Sequence, residues 1–367
     1  MNLSWICFHK AIALISLVLA FLYSGLQYIF EFGNGAICSC KLQVVYHYEY
    51  IIYICWIKLG ETKALLTLFT YDDILSILNE CKLKAIMADD NETLTPEQSE
   101  LGKKAHYDSQ YNPEKLFPIP RQSKRDELGI KDKPPFFGID IWNHYEVSWL
   151  NEKGKPVVAI AEIVYDCESP NIIESKSMKL YFNSFNNTKC RTADNACAMM
   201  ERDLSARVGV PVKVQLKLLS EIKNEKLSVR LNGTSIDDLD IECKEYKVNP
   251  KLLKASGKVV EETLCTDLLK SNCLVTHQPD WCSIQITYKG KKIDREGLLK
   301  YIVSFRNDNE FHEQCIEKIF MHIMKHCKPE KLTVYGRSTR RGGLDINSYR
   351  STEEIECKVE NIRLCRQ

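Results

Sequence analysis

The sequence predicts an α+β fold built twice in tandem, each half an antiparallel sheet with helices packed on one side. Three observations predict it. A hairpin pattern at residues 145–165 starts again at Ser283. Ser184-Phe185-Asn186 and Ser304-Phe305-Arg306 stand at matching places, each followed by a helical stretch and then a strand. The second helical stretch carries one sharply apolar face, which needs a sheet to cover it.

Along the chain, residues 11–30 (AIALISLVLAFLYSGLQYIF) form an uncharged run long enough to span a bilayer, with Lys10 as a weak positive flank. Apolar sequence at residues 50–57 follows without assignable periodicity. The composition changes near Met87, where a polar leader begins. We set residues 1–86 aside as an extension outside the working protein, with a membrane anchor at residues 11–30 as the alternative; without such an anchor no membrane is expected. Residues 87–135 are polar and proline-bearing and read as an extended arm laid over a domain surface.

The first half is expected over residues 136–219. Residues 145–150 alternate between two faces, Asn151-Glu-Lys-Gly-Lys-Pro turns the chain, and residues 157–165 return. A helix near residues 193–206 precedes Val212-Lys-Val-Gln-Leu-Lys-Leu, a strictly alternating strand. Residues 220–257 form a charged connector. In the second half, residues 258–367, Ser283-Ile-Gln-Ile-Thr-Tyr reads as a strand with a turn at Lys289-Gly290. A helix over residues 310–327 follows, with Phe311, Cys315, Ile316, Ile319, Phe320 and Ile323 on one face, Asn309 as N-cap, and His312 and Glu313 in its first turn.

Composition excludes some classes. With 27% charged and 44% hydrophobic residues the chain is globular rather than disordered, and a net charge of +1 gives no basic field for direct nucleic-acid binding. The 16 cysteines are irregularly spaced, as reduced thiols are, in a chain able to build a core without a disulfide framework. No C-x-x-C pair or H-E-x-x-H occurs, so no metal is expected. No G-x-G-x-x-G is present either. Arg337, Arg340 and Arg341 instead flank Gly342-Gly343, a flexible basic loop able to approach phosphates or to be an ordinary solvated turn.

The densest constellation is Leu269-Lys-Ser-Asn-Cys-Leu-Val-Thr-His-Gln-Pro-Asp-Trp281. Pro279 favours an extended or turned backbone there, so that Asp280 can fold back toward Cys273. A thiol becomes a strong nucleophile as thiolate, and a nearby carboxyl can give a proton to an atom that gains electrons. Spacing alone leaves open the plainer alternative of a buried structural cysteine.

The strings ESKSMKLYFNSFN, VVEETLCTDLLKSNCLVTHQPDW, DREGLLKYIVSFRNDNEFHEQCIEKIF and TRRGGLDIN closely resemble the long, two-module form of the NADPH-dependent 7-cyano-7-deazaguanine reductases, from about residue 100 to the C-terminus. The resemblance implies tandem tunnelling-fold modules, a homodimer joined through its sheets, and a cytoplasmic enzyme of queuosine biosynthesis, a tRNA modification. It implies NADPH as cofactor and reduction of the substrate nitrile to an aminomethyl group through a covalent thioimidate. Cys273 matches the family's nucleophile and Asp280 its acid. Ile173, Glu174, Ser175, His312 and Glu313 match its substrate contacts, and Ser175, Lys176, Arg341 and Gly342 its cofactor contacts. Cys282 departs from the pattern, standing where glycine is usual. Two other readings are a zinc-dependent cyclohydrolase of the same fold, for which no ligand set is evident, and a tethered binding protein that has lost activity.

Overall fold

A computed structural model describes strand segments 28–31, 37–47, 50–59 and 62–69, and residues 95–99, 107–223, 227–355 and 359–367. The chain separates into two compact units, Met1–Glu92 and Thr93–Gln367. In the first, strands β1 (Tyr28–Glu31), β2 (Ile37–His47), β3 (Tyr50–Leu59) and β4 (Thr62–Phe69) form an antiparallel sheet in sequential order. Residues 50–57, which show no clear period, are thus a strand. Most of the apolar run at residues 11–30 lies outside the described residues. Among the described residues no helix is long and apolar enough to cross a membrane.

The second unit is an eight-stranded sheet with helices. Its first half runs β6 (Phe137–Leu150), β7 (Pro156–Asp166), β8 (Asn171–Ile173), α2 (Ser175–Ser184), α3 (Ala193–Val208) and β9 (Lys213–Leu218). The expected hairpin is present: Asn151 Oδ1 accepts from the Lys153 and Lys155 amides, both at 3.0 Å, and Gly154 supplies the left-handed residue at φ 80°. Thr192 caps α3 by accepting from the Asn195 amide, and Gly209 ends it at φ 84°.

The second half repeats the layout with β12 (Ala255–Asn272), β13 (Pro279–Ile293), α4 (Arg295–Val303), α5 (His312–Cys327), β14 (Lys331–Ser338) and β15 (Leu344–Ser351). Two short pairings, β10 (Leu227–Ser228) with β16 (Arg363–Leu364) and β11 (Thr234–Ser235) with β12, tie the connector and the C-terminal tail to it. Strand order is β11-β12-β13-β14-β15-β6-β7-β9, antiparallel except at β11. The halves join where β15 pairs with β6, from Leu344 opposite His144 to Ser351 opposite Phe137.

Helices cover one face. Leu332 and Val334 of β14 pack with Ile316, Ile319 and Phe320 of α5, and Trp142, Ile163, Tyr181 and Met200 fill the first half. Tyr335, between Val334 and Gly336, faces the other way with Leu231 and Leu364.

Four expectations are corrected. Lys289-Gly290 is not a turn, because β13 runs through it with Gly290 opposite Val260. A Cβ on Gly290 would stand 2.8 Å from Pro329 Cα, so the glycine marks a close backbone approach. Asn309 is not the cap of α5; it bridges to Asn272, and Phe311 takes the cap position without a side-chain hydrogen bond. Arg337 does not reach toward phosphates, being 1% exposed and bound to Tyr335 Oη, Asn361 and Gln367 on the face away from the helices. The arm is not merely laid on the surface. It forms β5 (Pro118–Pro120), paired with β8, and α1 (Gln122–Glu127), and it sends Arg121 and Arg125 into the interior.

Candidate active site

Cys273 sits at the tip of the β12 and β13 hairpin. The ladder runs Ser271 opposite Asp280 and Asn272 opposite Pro279, and the Cys273 amide donates to Gln278 O at 2.8 Å. The Cys273 carbonyl accepts from His277, whose φ of 55° closes the turn. Cys273, just past the end of β12, and Asp280 of β13 are thereby held on opposite arms of the hairpin, the two residues 2% and 7% exposed. A bulge between Thr266 and Leu269 offsets the register just before this tip.

The start of α5 arrives through the segment preceding it. Asn272 donates its amide to Asp308 O at 2.8 Å, and its carbonyl accepts from Glu310 at 3.0 Å, so residues 308–310 extend the end of β12. Phe311 then packs with Ile119, Ile172, Phe117 and Leu274. Phe117 O in turn accepts from the Glu174 amide at 2.9 Å. One apolar cluster therefore draws together the residue after Cys273, the residue before His312 and the strand leading to Glu174.

Asp280 is the junction of the site. Arg341 Nη1 lies 2.9 Å from its Oδ1, and His312 Nε2 lies 3.8 Å from the same oxygen. Burial keeps the His312 imidazole below its usual range, with Asp280 pulling upward and Arg341 pushing down. Glu313 is 1% exposed, and its Oε1 has no hydrogen-bond partner. Burial pushes its carboxyl up to about 8; Asp140 adds to this while Arg121 and Arg350 oppose it. A buried acceptor without a donor is costly unless a ligand supplies one.

Glu174 caps α2, its two oxygens accepting from the Lys176 and Ser177 amides at 2.7 Å each. Burial raises its carboxyl, and those amides, Ser175 and Arg341 pull it back. Ser175 and Lys176 open the helix, half-buried. Ile173 is buried in the core of the first half.

Arg341 and Leu344 bond to each other around Gly342 and Gly343, at φ 64° and 80°. A Cβ on Gly342 would lie 3.2 Å from Lys179 Cδ, so this turn and α2 are direct neighbours. The two segments expected to hold the cofactor thus meet, with Lys179 3.3 Å from Glu146 and Arg341 2.9 Å from Asp280. Residues that sequence reasoning missed are Tyr165 and Trp142, buried with Oη and Nε1 unpartnered, and the arginines under Glu313. Nothing in the local sequence pattern marks any of them.

The family model described as nitrile reductase, 7-cyano-7-deazaguanine-reductase N-term, matches residues 107–216, and that of QueF-like protein matches residues 279–356. A curated protein of Legionella pneumophila (strain Corby), named NADPH-dependent 7-cyano-7-deazaguanine reductase, is 59% identical over 271 residues, 74% of this chain and 95% of its own. One of the same name from Polaromonas sp. (strain JS666 / ATCC BAA-500) is 53% identical over 275 residues, 74% of this chain and 99% of its own. The chain is thus an oxidoreductase, of the class that acts on a nitrile. It belongs to the NADPH-dependent 7-cyano-7-deazaguanine reductase family.

Proposed function

We propose that this chain reduces the nitrile of 7-cyano-7-deazaguanine to the aminomethyl group at the expense of two NADPH, as a step of queuosine biosynthesis in the cytoplasm. The relatives' names support substrate and cofactor. The observation that carries the assignment of residues is the hairpin that holds Cys273 buried at its tip and Asp280 buried on β13 beside it.

Cys273 Sγ adds to the electrophilic nitrile carbon as the C≡N bond opens, giving a covalent thioimidate, and Asp280 delivers the proton to nitrogen. Arg341 Nη1 stands 2.9 Å from Asp280 Oδ1 and moves aside for the substrate nitrogen to reach that carboxyl. The two-glycine turn allows Arg341 to swing toward a phosphate instead. NADPH supplies the hydride when bound. A nitrile needs four electrons to become an amine, and Cys273 leaves between the two reductions. His312 and Glu313 face the substrate, with Glu313 as carboxylate accepting from the amino and ring N–H groups, and Ile173, Glu174 and Ser175 line the other side. Ser175, Lys176, Arg341 and Gly342 hold the cofactor. Burial of Cys273 and Asp280 keeps water from a hydrolysable imine.

The repeated layout of two strands, two helices and a returning strand supports a reading as tandem tunnelling-fold modules; the homodimer joined through the sheets is carried by the family resemblance. Incubating the protein with 7-cyano-7-deazaguanine alone and measuring intact mass tests the chemistry. A substrate-mass adduct on the peptide containing Cys273 is expected; a reaction that turns over with no adduct in any quench would refute covalent catalysis.

A further inference from the structure

Glu313 stands one helical turn before Glu317 on α5, and Glu317 is embedded in arginine. Its carboxylate lies 2.8 Å from Arg125 Nη2, 3.0 Å from Arg350 Nη2 and 3.4 Å from Arg121 Nη1. Asp140 on β6 is 2.5 Å from Arg121 Nη2 and 2.9 Å from Arg350 Nη1. All five residues are 4% exposed or less. Three guanidiniums therefore face two carboxylates across the arm, both halves of the sheet and α5. The cluster is one negative charge short. The adjacent carboxyl that can supply it is Glu313, whose Oε1 is unpartnered.

We propose that Arg121, reaching in from the arm, is a positioning residue for substrate recognition: with Arg350 it supplies the positive charge that lets Glu313 meet the substrate as a carboxylate. This rests on the reading that Glu313 grips the amino and ring N–H edge of the heterocycle. Two N–H donors are satisfied by two carboxylate oxygens, whereas a carboxylic acid would turn its own proton against one of them. Burial and Asp140 favour the protonated form of Glu313 in the ligand-free protein, Arg121 and Arg350 favour the ionised form, and the carboxyl stands at about 8. The remaining groups facing it are Tyr165 from β7, whose phenol burial keeps neutral, Glu317 on the same helix and the neighbouring His312, which burial also keeps neutral. Cys167, beyond Arg350, is pushed up by burial to about 12 and adds no charge. Substrate binding near pH 7 therefore expels a proton from Glu313, and Arg121 sets how readily it leaves.

Calorimetric titration of the full-length Cys273→Ala protein with 7-cyano-7-deazaguanine, in buffers of different ionisation enthalpy across pH 6–9.5, tests this. Close to one proton released per site at pH 7 is expected. Adding Arg121→Met should weaken binding about tenfold at pH 7 and move its acid limb about one unit alkaline, with the difference closing at high pH, because a one-unit rise in the Glu313 carboxyl leaves about a tenth as much carboxylate. Arg121→Lys should restore most of the loss. Arg125→Met removes a guanidinium that bonds Glu317 but not Asp140, and should move the limb less than Arg121→Met does. Binding without proton release, or an Arg121→Met loss equal at every pH, would overturn the proposal. The proton count needs no change at Arg121, so it decides the matter even where Arg121→Met folds poorly. Absence of binding at any pH would instead overturn the recognition reading itself, and this proposal with it.

Discussion

Replacing Arg350 by methionine removes one of the two guanidiniums, with Arg121, that both carboxylates of the buried cluster share. Its Nη1 is 2.9 Å from Asp140, its Nη2 3.0 Å from Glu317, and Nη1 also donates to Ile139 O at 3.1 Å. Methionine fits most of the volume, so the loss is electrostatic. Arg121 and Arg125 remain, but the positive charge falls from three groups to two in a region no water reaches. Breaking a buried ion pair from one side costs about 3–5 kcal/mol, roughly 5–9 °C in melting temperature for a unit of this size. The pH dependence follows from the sign of the shifts. Burial pushes Asp140 and Glu317 upward, but Arg350 and its neighbours outweigh it and hold both below the usual carboxylate range. Their stabilisation is complete above the unfolded carboxylate range near pH 4 and is lost as pH falls through the folded values. The deficit of Arg350→Met should therefore be full at about pH 5–8 and shrink as pH falls from about 4 to 2. Thermal unfolding across that range measures it. A deficit under about 1 kcal/mol, or one that persists undiminished to about pH 2, would refute the account of the cluster.

Other outcomes follow from the site. Cys273→Ala should abolish covalent capture and leave substrate affinity within a few-fold, while Asp280→Asn should lower kcat by about 10²–10⁴ with little change in affinity; equal loss of binding in both would contradict the roles given them. Glu313→Gln replaces one acceptor oxygen by a donor and should weaken substrate binding by about 10–100-fold, the worth of a hydrogen bond to a charged group, read as a dissociation constant in the Cys273→Ala background. Gly343→Ala places a Cβ 2.5 Å from Glu146 Cδ at φ 80°, so the turn must distort. It should raise the KM for NADPH several-fold, in keeping with about 1–3 kcal/mol of backbone strain, while the dissociation constant for the nitrile changes little.

Much of this molecule is legible in its sequence where the signal is local. The β6 and β7 hairpin shows in Asn151 and Gly154, whose turn chemistry is self-contained. The apolar face of α5 shows because three-and-four spacing survives any tertiary context. Proline at 279 likewise foreshadows the return of Asp280. What escaped depends on partners far along the chain. Gly290 reads as a turn, yet it is glycine because Pro329 packs on it from 39 residues away, an approach invisible to a short window. Arg121 and Arg125 read as solvated charge in a polar arm, since their carboxylate Glu317 lies 196 and 192 residues downstream. Arg337 reads as part of a basic loop, and the strand alternation that turns it to the opposite face is fixed by sheet pairing. Tyr165 and Trp142 read as ordinary core, and their unpartnered polar atoms appear in three dimensions alone.

The most direct test of the central claim mixes the full-length protein with 7-cyano-7-deazaguanine and NADPH, follows nicotinamide absorbance, and quantifies the product, with Cys273→Ala as control. Two NADPH consumed per aminomethyl product, and none in the control, is the predicted result. Folded protein that binds the nitrile but oxidises no NADPH, or a Cys273→Ala protein that turns over like the parent, would contradict it.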